Sequence, residues 1–161
     1  MDWKNLYLSA DGRIGKKEFW IGWIVLFAVG IVANLIPLIN MIAGFVLIYP
    51  TVCVYSKRLH DSGKTGWLAA LPYAVFIVAM VIGIAMFGTG IFAAAMSGSS
   101  GNDPAAAAAA MSGMGGFFGV MGLAFLFYIA FTLWVGLSNG DPGENRYGPP
   151  PGGAGGAAPS V

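Results

Sequence analysis

The sequence has 161 residues, of which 57% are hydrophobic and only 9% are charged. A soluble globular domain has about a quarter of its residues charged, so a chain this apolar has too little polar surface to face water on all sides. Composition therefore excludes an ordinary soluble domain and predicts one integral membrane domain.

The charges also exclude some partners. Eight Lys and Arg residues stand against seven Asp and Glu, for a net charge of +1, which is too small a surplus to neutralise many phosphates. We therefore expect no nucleic acid as partner. Cys53 is the single cysteine, so no disulfide can form within the chain.

Residues 1–18 are predicted to be a cytoplasmic N-terminal segment. Trp3, Leu6 and Tyr7 share the spacing of one helix face, which predicts either a short helix on the membrane surface or a frayed terminus. The first apolar stretch begins only at residue 19 and lacks a cleavage site behind it, so we interpret it as an uncleaved anchor rather than a signal peptide.

Residues 19–56 contain no charged side chain. As one helix they would be about 57 Å long, far beyond the roughly 30 Å hydrocarbon core, so the chain must fold back. Pro37 and Asn40 are the expected helix breakers, which gives spans over about 19–36 and 41–55. Pro50 predicts a kink in the second span.

Two further charge-free stretches, 67–87 and 117–137, each have the length of one membrane span. The outer loop between them, 88–116, is low in complexity, and Asp103 and Pro104 before six alanines predict a short helix within it. Residues 138–148 form an exit motif, and the Pro, Gly and Ala tail, 149–161, is predicted to be disordered.

The basic residues predict the orientation. All eight lie before the first span, in the loop 56–66, or after the fourth span, and basic residues tend to stay in the cytoplasm. The expected fold is therefore an all-α integral membrane protein of four transmembrane helices, arranged as two helical hairpins, with both termini cytoplasmic.

Three polar segments lie at one side of this topology. They are Gly12-Arg13-Ile14-Gly15-Lys16-Lys17-Glu18-Phe19-Trp20, Lys57-Arg58-Leu59-His60-Asp61-Ser62-Gly63-Lys64-Thr65-Gly66-Trp67 and Gly140-Asp141-Pro142-Gly143-Glu144-Asn145-Arg146-Tyr147-Gly148. From about residue 12 to 151 the chain resembles the bacterial inner-membrane family known as domain of unknown function 805. The resemblance implies this fold and a bacterial inner-membrane location, but no activity.

The candidate binding site is the cytoplasmic cluster formed by these segments. Its members are Arg13, Glu18, Arg58, His60, Asp61, Asn145 and Arg146. One interpretation is structural, with Arg13 and Arg58 paired to Glu18, Asp61 or Glu144 at the ends of the helices. The other is a shallow site for an anionic ligand or lipid headgroup.

No catalytic, metal or cofactor site is predicted. Ser56, His60 and Asp61 have the composition of a triad, but Asp61 should point about 100° away from His60 on a helix. The Gly-x-Ser-x-Gly pattern at 136–140 ends an apolar helix instead of following a strand. Cys53 and His60 are too far apart along a helix to share a metal ion.

The expected function is therefore non-catalytic: binding or organising membrane components, either lipids or a protein partner, with a homo-oligomer as another option. The alternative is a small transporter or channel subunit, although the spans lack the ionisable groups on which coupled transport normally depends. A membrane-bound enzyme is the third hypothesis.

Overall fold

The computed structural model describes residues 2–96 and 104–152, apart from the side chains of Leu38, Asn40 and Met41. This part of the chain folds into helices without a strand. The helices are α1 (Trp3–Leu8), α2 (Lys16–Asn34), α3 (Pro37–Val46), α4 (Ile48–Asp61), α5 (Leu71–Met96) and α6 (Pro104–Leu137), with a 3-10 turn at Gly66–Ala70.

Four helical stretches in this part of the chain have the length and composition to cross a membrane. They are Lys16–Asn34, Ile42–Asp61, Gly66–Met96 and Pro104–Leu137. The predicted all-α fold with four membrane-spanning helices is confirmed.

The break between the first two spans lies just before Pro37, whereas Asn40, the other expected breaker, lies within α3. α2 ends at Asn34, and Pro37 begins α3, a position at which its missing N–H costs no helical hydrogen bond. α3 and α4 meet at Leu47, whose backbone remains in the right-handed helical region. Pro50 cannot donate to the carbonyl of Val46, which accounts for a break at this point.

Two predicted loops differ from the observed ones. α4 continues to Asp61, so residues 56–61 of the loop predicted at 56–66 form its last two turns. α5 continues to Met96 and α6 begins at Pro104, so most of the loop predicted for 88–116 is helical, and the short helix after Pro104 is the first part of α6. Asp103 and residues 153–161 of the predicted tail lie outside the described residues.

The chain divides into two compact units, Met1–Ala70 with Thr132–Val161, and Leu71–Phe131. In the first unit, the rings of Phe19 and Tyr55 meet edge to face with centroids 5.3 Å apart. The hydroxyls of Tyr55 and Thr132 are 2.7 Å apart in a buried hydrogen bond. These contacts join α2, α4 and the last part of α6 into one core.

In the second unit, α5 and α6 are in close contact at glycine residues. An ideal Cβ on Gly90 would lie 2.7 Å from the Cα of Gly113, so the two backbones pass too closely for any side chain between them. Small residues allow this close packing where lipid supplies no hydrophobic driving force for association.

Replacing Gly90 with alanine should destabilise this helix pair, because the added methyl group forces the two backbones apart. We expect a loss of about 1–3 kcal/mol, typical of overpacking. Thermal unfolding in detergent measures the change, and Gly88→Ala is the control because a Cβ there meets nothing within 4 Å. Equal melting temperatures for the two variants would contradict the close contact.

Candidate functional site

The last two turns of α4 are buried although they are polar. Lys57, Arg58, His60 and Asp61 all lie in the interior of the first unit. Hydrogen-bonding groups reach them from α1, from the chain that leads into α2 and from the residues that follow α6. A polar helix end can be buried only with such partners.

Asp61 accepts hydrogen bonds from two arginines. Arg13 Nη2 lies 3.0 Å from Oδ1, and Arg58 Nη1 contacts Oδ2. Both arginine side chains are 1% exposed. We call Arg13, Arg58 and Asp61 the arginine–aspartate cluster. Separating one of these charges from the others would leave it buried and unpaired, which typically costs about 3–5 kcal/mol.

Arg13 also holds the chain that follows α6. Its Nη1 donates to the carbonyls of Gly143 at 2.8 Å and Gly148 at 3.0 Å, and its Nη2 donates to the carbonyl of Asp141 at 2.6 Å. A planar guanidinium has five N–H groups in a fixed fork. Arg13 uses this geometry to connect Asp61 with three carbonyl groups of the exit motif.

Arg58 connects α4 to two other segments of the first unit. Its Nη1 donates to the carbonyl of Ile14 at 3.4 Å, and its Nη2 donates to the carbonyl of Ser138. Its Nε is buried and has no hydrogen-bond partner within the described part of the chain. The end of α6 and the segment before α2 are thereby attached to the same side chain on α4.

Asn145 completes the network around the end of α4. Its amide nitrogen donates to the carbonyl of His60 at 3.0 Å and to Asp141 Oδ2 at 2.8 Å. The backbone N–H of Asp141 donates to the carbonyl of Asp61 at 2.7 Å. The structure thus brings together four of the predicted site residues, namely Arg13, Arg58, Asp61 and Asn145.

Two predicted members have other contacts. Glu18 accepts from the backbone N–H of Gly15 at 3.0 Å and caps α2, so its described contact is local rather than with an arginine. Arg146 donates to the carbonyl of Gly63 at 3.3 Å and lies 4.8 Å from the centroid of the Tyr147 ring. It remains exposed at the edge of the network.

Lys57 and Asn5 form a contact that the sequence did not predict. Lys57 Nζ donates to Asn5 Oδ1 at 2.6 Å and also to its carbonyl, which attaches α1 to α4. Tyr7 donates to the carbonyl of Gly22 at 3.2 Å, and burial raises the pKa of its phenol above the ordinary value, which keeps this donor protonated. No spacing in the sequence relates Asn5 to Lys57.

His60 is oriented by two neighbours. Its Nδ1 lies 3.2 Å from the carbonyl of Gly12, and its ring stacks on Tyr147 with centroids 3.7 Å apart. Because a carbonyl oxygen can only accept, Nδ1 carries the proton in this contact, and Nε2 of the neutral ring is an acceptor. Nε2 points towards Gly66, where an ideal Cβ would lie 2.7 Å from it.

An open cavity of about 440 Å³ lies beside His60. Its wall is mainly apolar, with a few polar groups from α4, the 3-10 turn and the exit motif. The lining residues are Ala10, Val52, Ser56, His60, Thr65, Gly66, Trp67, Ala70 and Tyr147. This volume and this mixture of surfaces are typical of sites for small or amphiphilic molecules.

The triad, the Gly-x-Ser-x-Gly pattern and a metal site were each compared with the described residues. Ser56 Oγ and His60 Nε2 both face Gly66, but Asp61 is turned away from them to the two arginines. Ser138 of the Gly-x-Ser-x-Gly pattern donates to the carbonyl of Trp134 in its own helix. Among the described residues, no three His, Cys, Asp or Glu side chains are grouped as a metal site would require.

The chain matches a protein family over most of its length. Residues 7–149 match the family described as "Protein of unknown function (DUF805)", and this range includes all three polar segments. No solved structure matches the chain.

Three relatives from Escherichia coli strain K12 are similar to parts of the chain. Uncharacterized protein YiiR is 36% identical over 80 residues, which cover 44% of this chain and 53% of YiiR. Inner membrane protein YhaI is 29% identical over 108 residues, or 61% of this chain and 87% of YhaI. Inner membrane protein YhaH is 28% identical over 99 residues, or 51% and 81%. The chain thus spans about half the length of YiiR.

Replacing Asp61 with asparagine should strongly destabilise the first unit, because two buried guanidinium groups would lose their shared counter-charge. We expect a loss of about 3–5 kcal/mol, seen as a large fall in melting temperature in detergent. Glu144→Gln removes an exposed carboxylate from the same region and should change the melting temperature little. If the two substitutions had similar effects, the cluster would not be the main stabilising interaction.

Proposed function

Because the chain belongs to the DUF805 family of proteins of unknown function, we propose a function from the site itself: it binds a membrane component, a lipid through its headgroup, at the cytoplasmic face. The protein is then a multi-pass protein of the bacterial inner membrane, the location named for YhaI and YhaH. Its role is to bind or organise other components without catalysis.

The observation that carries this proposal is the open cavity beside His60. Its volume of about 440 Å³ is within the usual range for small-molecule sites, about 300–1,000 Å³. Trp67 lines the cavity and is 84% exposed. An exposed tryptophan at the end of a membrane-spanning helix is typical of the headgroup region, so a lipid could enter from the surrounding bilayer.

The buried arginines support a binding site beside the cluster rather than in it. Arg13 and Arg58 already donate to Asp61 and to backbone carbonyls, and a ligand anion would have to displace these bonds. Their role is to hold the wall of the cavity in place, which reduces the ordering that binding requires.

A transporter is less well supported by the same residues. α5 and α6 contain no charged side chain, and the charges of the other two spans lie in the first turn of α2 and the last two turns of α4. Ionisable groups inside the membrane mark the pathways of most coupled transporters. A binding protein requires only the groups at the helix ends.

The orientation can be measured with one introduced cysteine at a time and a membrane-impermeant maleimide. With both termini in the cytoplasm, Asp103→Cys should react in intact spheroplasts, whereas Pro149→Cys should react only after permeabilisation. Cys53 is fully buried and serves as the internal control for unreacted thiol. Labelling of Pro149→Cys from outside would contradict the proposed orientation and place the cavity on the opposite face.

Filling the cavity should reduce lipid binding. In Ala70→Trp the indole ring would occupy space that a headgroup needs, and we expect about tenfold weaker binding, or about 1.4 kcal/mol. The probe is an equimolar mixture of phosphatidylglycerol and phosphatidylethanolamine, and native mass spectrometry measures the lipid retained by the purified protein.

The matched control is Ala130→Trp, which adds the same ring at an exposed position of α6 outside the cavity wall. Equal lipid retention by the two variants would contradict the proposed function. A second copy of the chain or another protein retained in place of lipid would likewise overturn it.

A further inference from the structure

The cavity beside His60 is divided into an apolar end and a polar end. Val52 and His60 both line it, and they are eight residues apart on α4, or about 12 Å along the helix axis. Val52 lies towards the middle of the membrane-spanning stretch Ile42–Asp61, and His60 lies at its end. This arrangement matches an amphiphile whose apolar part lies along Val52 and whose headgroup lies beside His60.

The polar end of the cavity contains a hydrogen-bond acceptor, Nε2 of His60, whose direction is fixed. The Nδ1 proton of His60 is directed at the carbonyl of Gly12, at 3.2 Å, so Nε2 offers a lone pair. Tyr147 stacks on the ring at 3.7 Å and restricts its rotation. Ser56 Oγ faces the same edge of Gly66 as Nε2 does. A ligand with a hydroxyl group could therefore donate to Nε2.

Positive charge lies at the rim of the same end. Arg146 is exposed and sits 4.8 Å from the ring centroid of Tyr147, which is part of the cavity wall. Lys64 precedes the lining residue Thr65, but its Nζ lies 5.2 Å from the centroid of the Trp134 ring, which is not part of the cavity wall. The exposed carboxylates near this end are Asp11 and Glu144, so the charges here give no positive surplus. The attraction for a phosphate therefore comes from the guanidinium of Arg146 beside Tyr147.

We propose that this cavity selects a phospholipid headgroup that carries both a phosphate and a free alcohol, as a phosphoglycerol headgroup does. The alcohol donates to Nε2 of His60, the phosphate lies near Arg146, and the acyl chains extend past Val52. This inference rests on the proposed function and adds the chemical class of the ligand.

The test compares three lipids with identical acyl chains in native mass spectrometry of the full-length protein. Phosphatidylglycerol has both groups, phosphatidylpropanol has the same singly charged phosphodiester without the hydroxyls, and phosphatidylcholine has neither a net charge nor a donor. We expect phosphatidylglycerol to bind about fivefold more tightly than phosphatidylpropanol, the effect of one hydrogen bond, and phosphatidylcholine to bind most weakly.

His60→Asn is the most informative variant. The asparagine amide can retain a donor near the position of Nδ1 for the carbonyl of Gly12, but it has no acceptor at the position of Nε2. We expect it to bind phosphatidylglycerol about fivefold more weakly than the unmodified protein does, while its affinity for phosphatidylcholine stays the same. Ser56→Ala tests the alternative acceptor, because it removes the hydroxyl that faces Gly66 and leaves Nε2 in place.

The phosphate contact is tested with a pair of charge changes. Arg146→Gln should reduce the affinity for phosphatidylglycerol and phosphatidylpropanol alike, whereas Lys17→Gln removes an exposed cation on α2 and should change neither. Equal weakening by the two substitutions would mean that charge acts only through the general surface potential, and it would overturn the proposed contact.

Two further results would overturn the headgroup assignment. One is equal binding of the three lipids, and the other is unchanged selectivity in a His60→Asn variant with the melting temperature of the unmodified protein. If His60→Asn does not fold, Ser56→Ala decides between the two candidate acceptors. Loss of the preference for phosphatidylglycerol in Ser56→Ala would mean that Ser56 is the acceptor and would contradict the role of Nε2. The proposed function would survive these outcomes as long as Ala70→Trp still reduces lipid retention.

Discussion

The burial of one carboxylate between two guanidinium groups is the interaction on which the rest of the first unit depends. Asp61 ends α4, and Arg13 and Arg58 use it as their common acceptor. Each arginine then donates to backbone carbonyls far away in the sequence, such as those of Gly148 and Ser138. A charged group removed from water needs several partners at once, and this requirement brings the start of α2, the end of α4 and the exit motif to one place.

The same interaction limits which groups could take part in the proposed lipid binding. Since the two buried arginines are occupied by internal acceptors, the groups that can meet a ligand are their neighbours. His60 lies beside Asp61 in α4, and its ring is held by Gly12 and Tyr147, residues from the segments that the arginines fix. The wall of the cavity is therefore preorganised by a network that does not itself face the cavity, and preorganisation reduces the ordering cost of binding.

The second unit has a simpler physical basis. α5 and most of α6 contain no charged residue, and their large aliphatic and aromatic side chains are exposed in the isolated chain, where lipid would cover them. Close approach at Gly90 and Gly113 supplies the contact between the helices. Dispersion forces at such contacts are a main source of helix association in a membrane, so sequence changes here should act on stability before they act on binding.

The sequence by itself determined the helical class, the four spans and the identity of the polar segments, because the absence of charge over a bilayer's thickness leaves few alternatives. It also indicated that Arg13, Arg58 and Asp61 belong together. Only the tertiary structure decided that both arginines share Asp61, that Glu18 caps its own helix, and that an open cavity lies beside His60. Pairing among several cations and several acids depends on distances of a few ångströms, and residue order along a chain does not specify those distances.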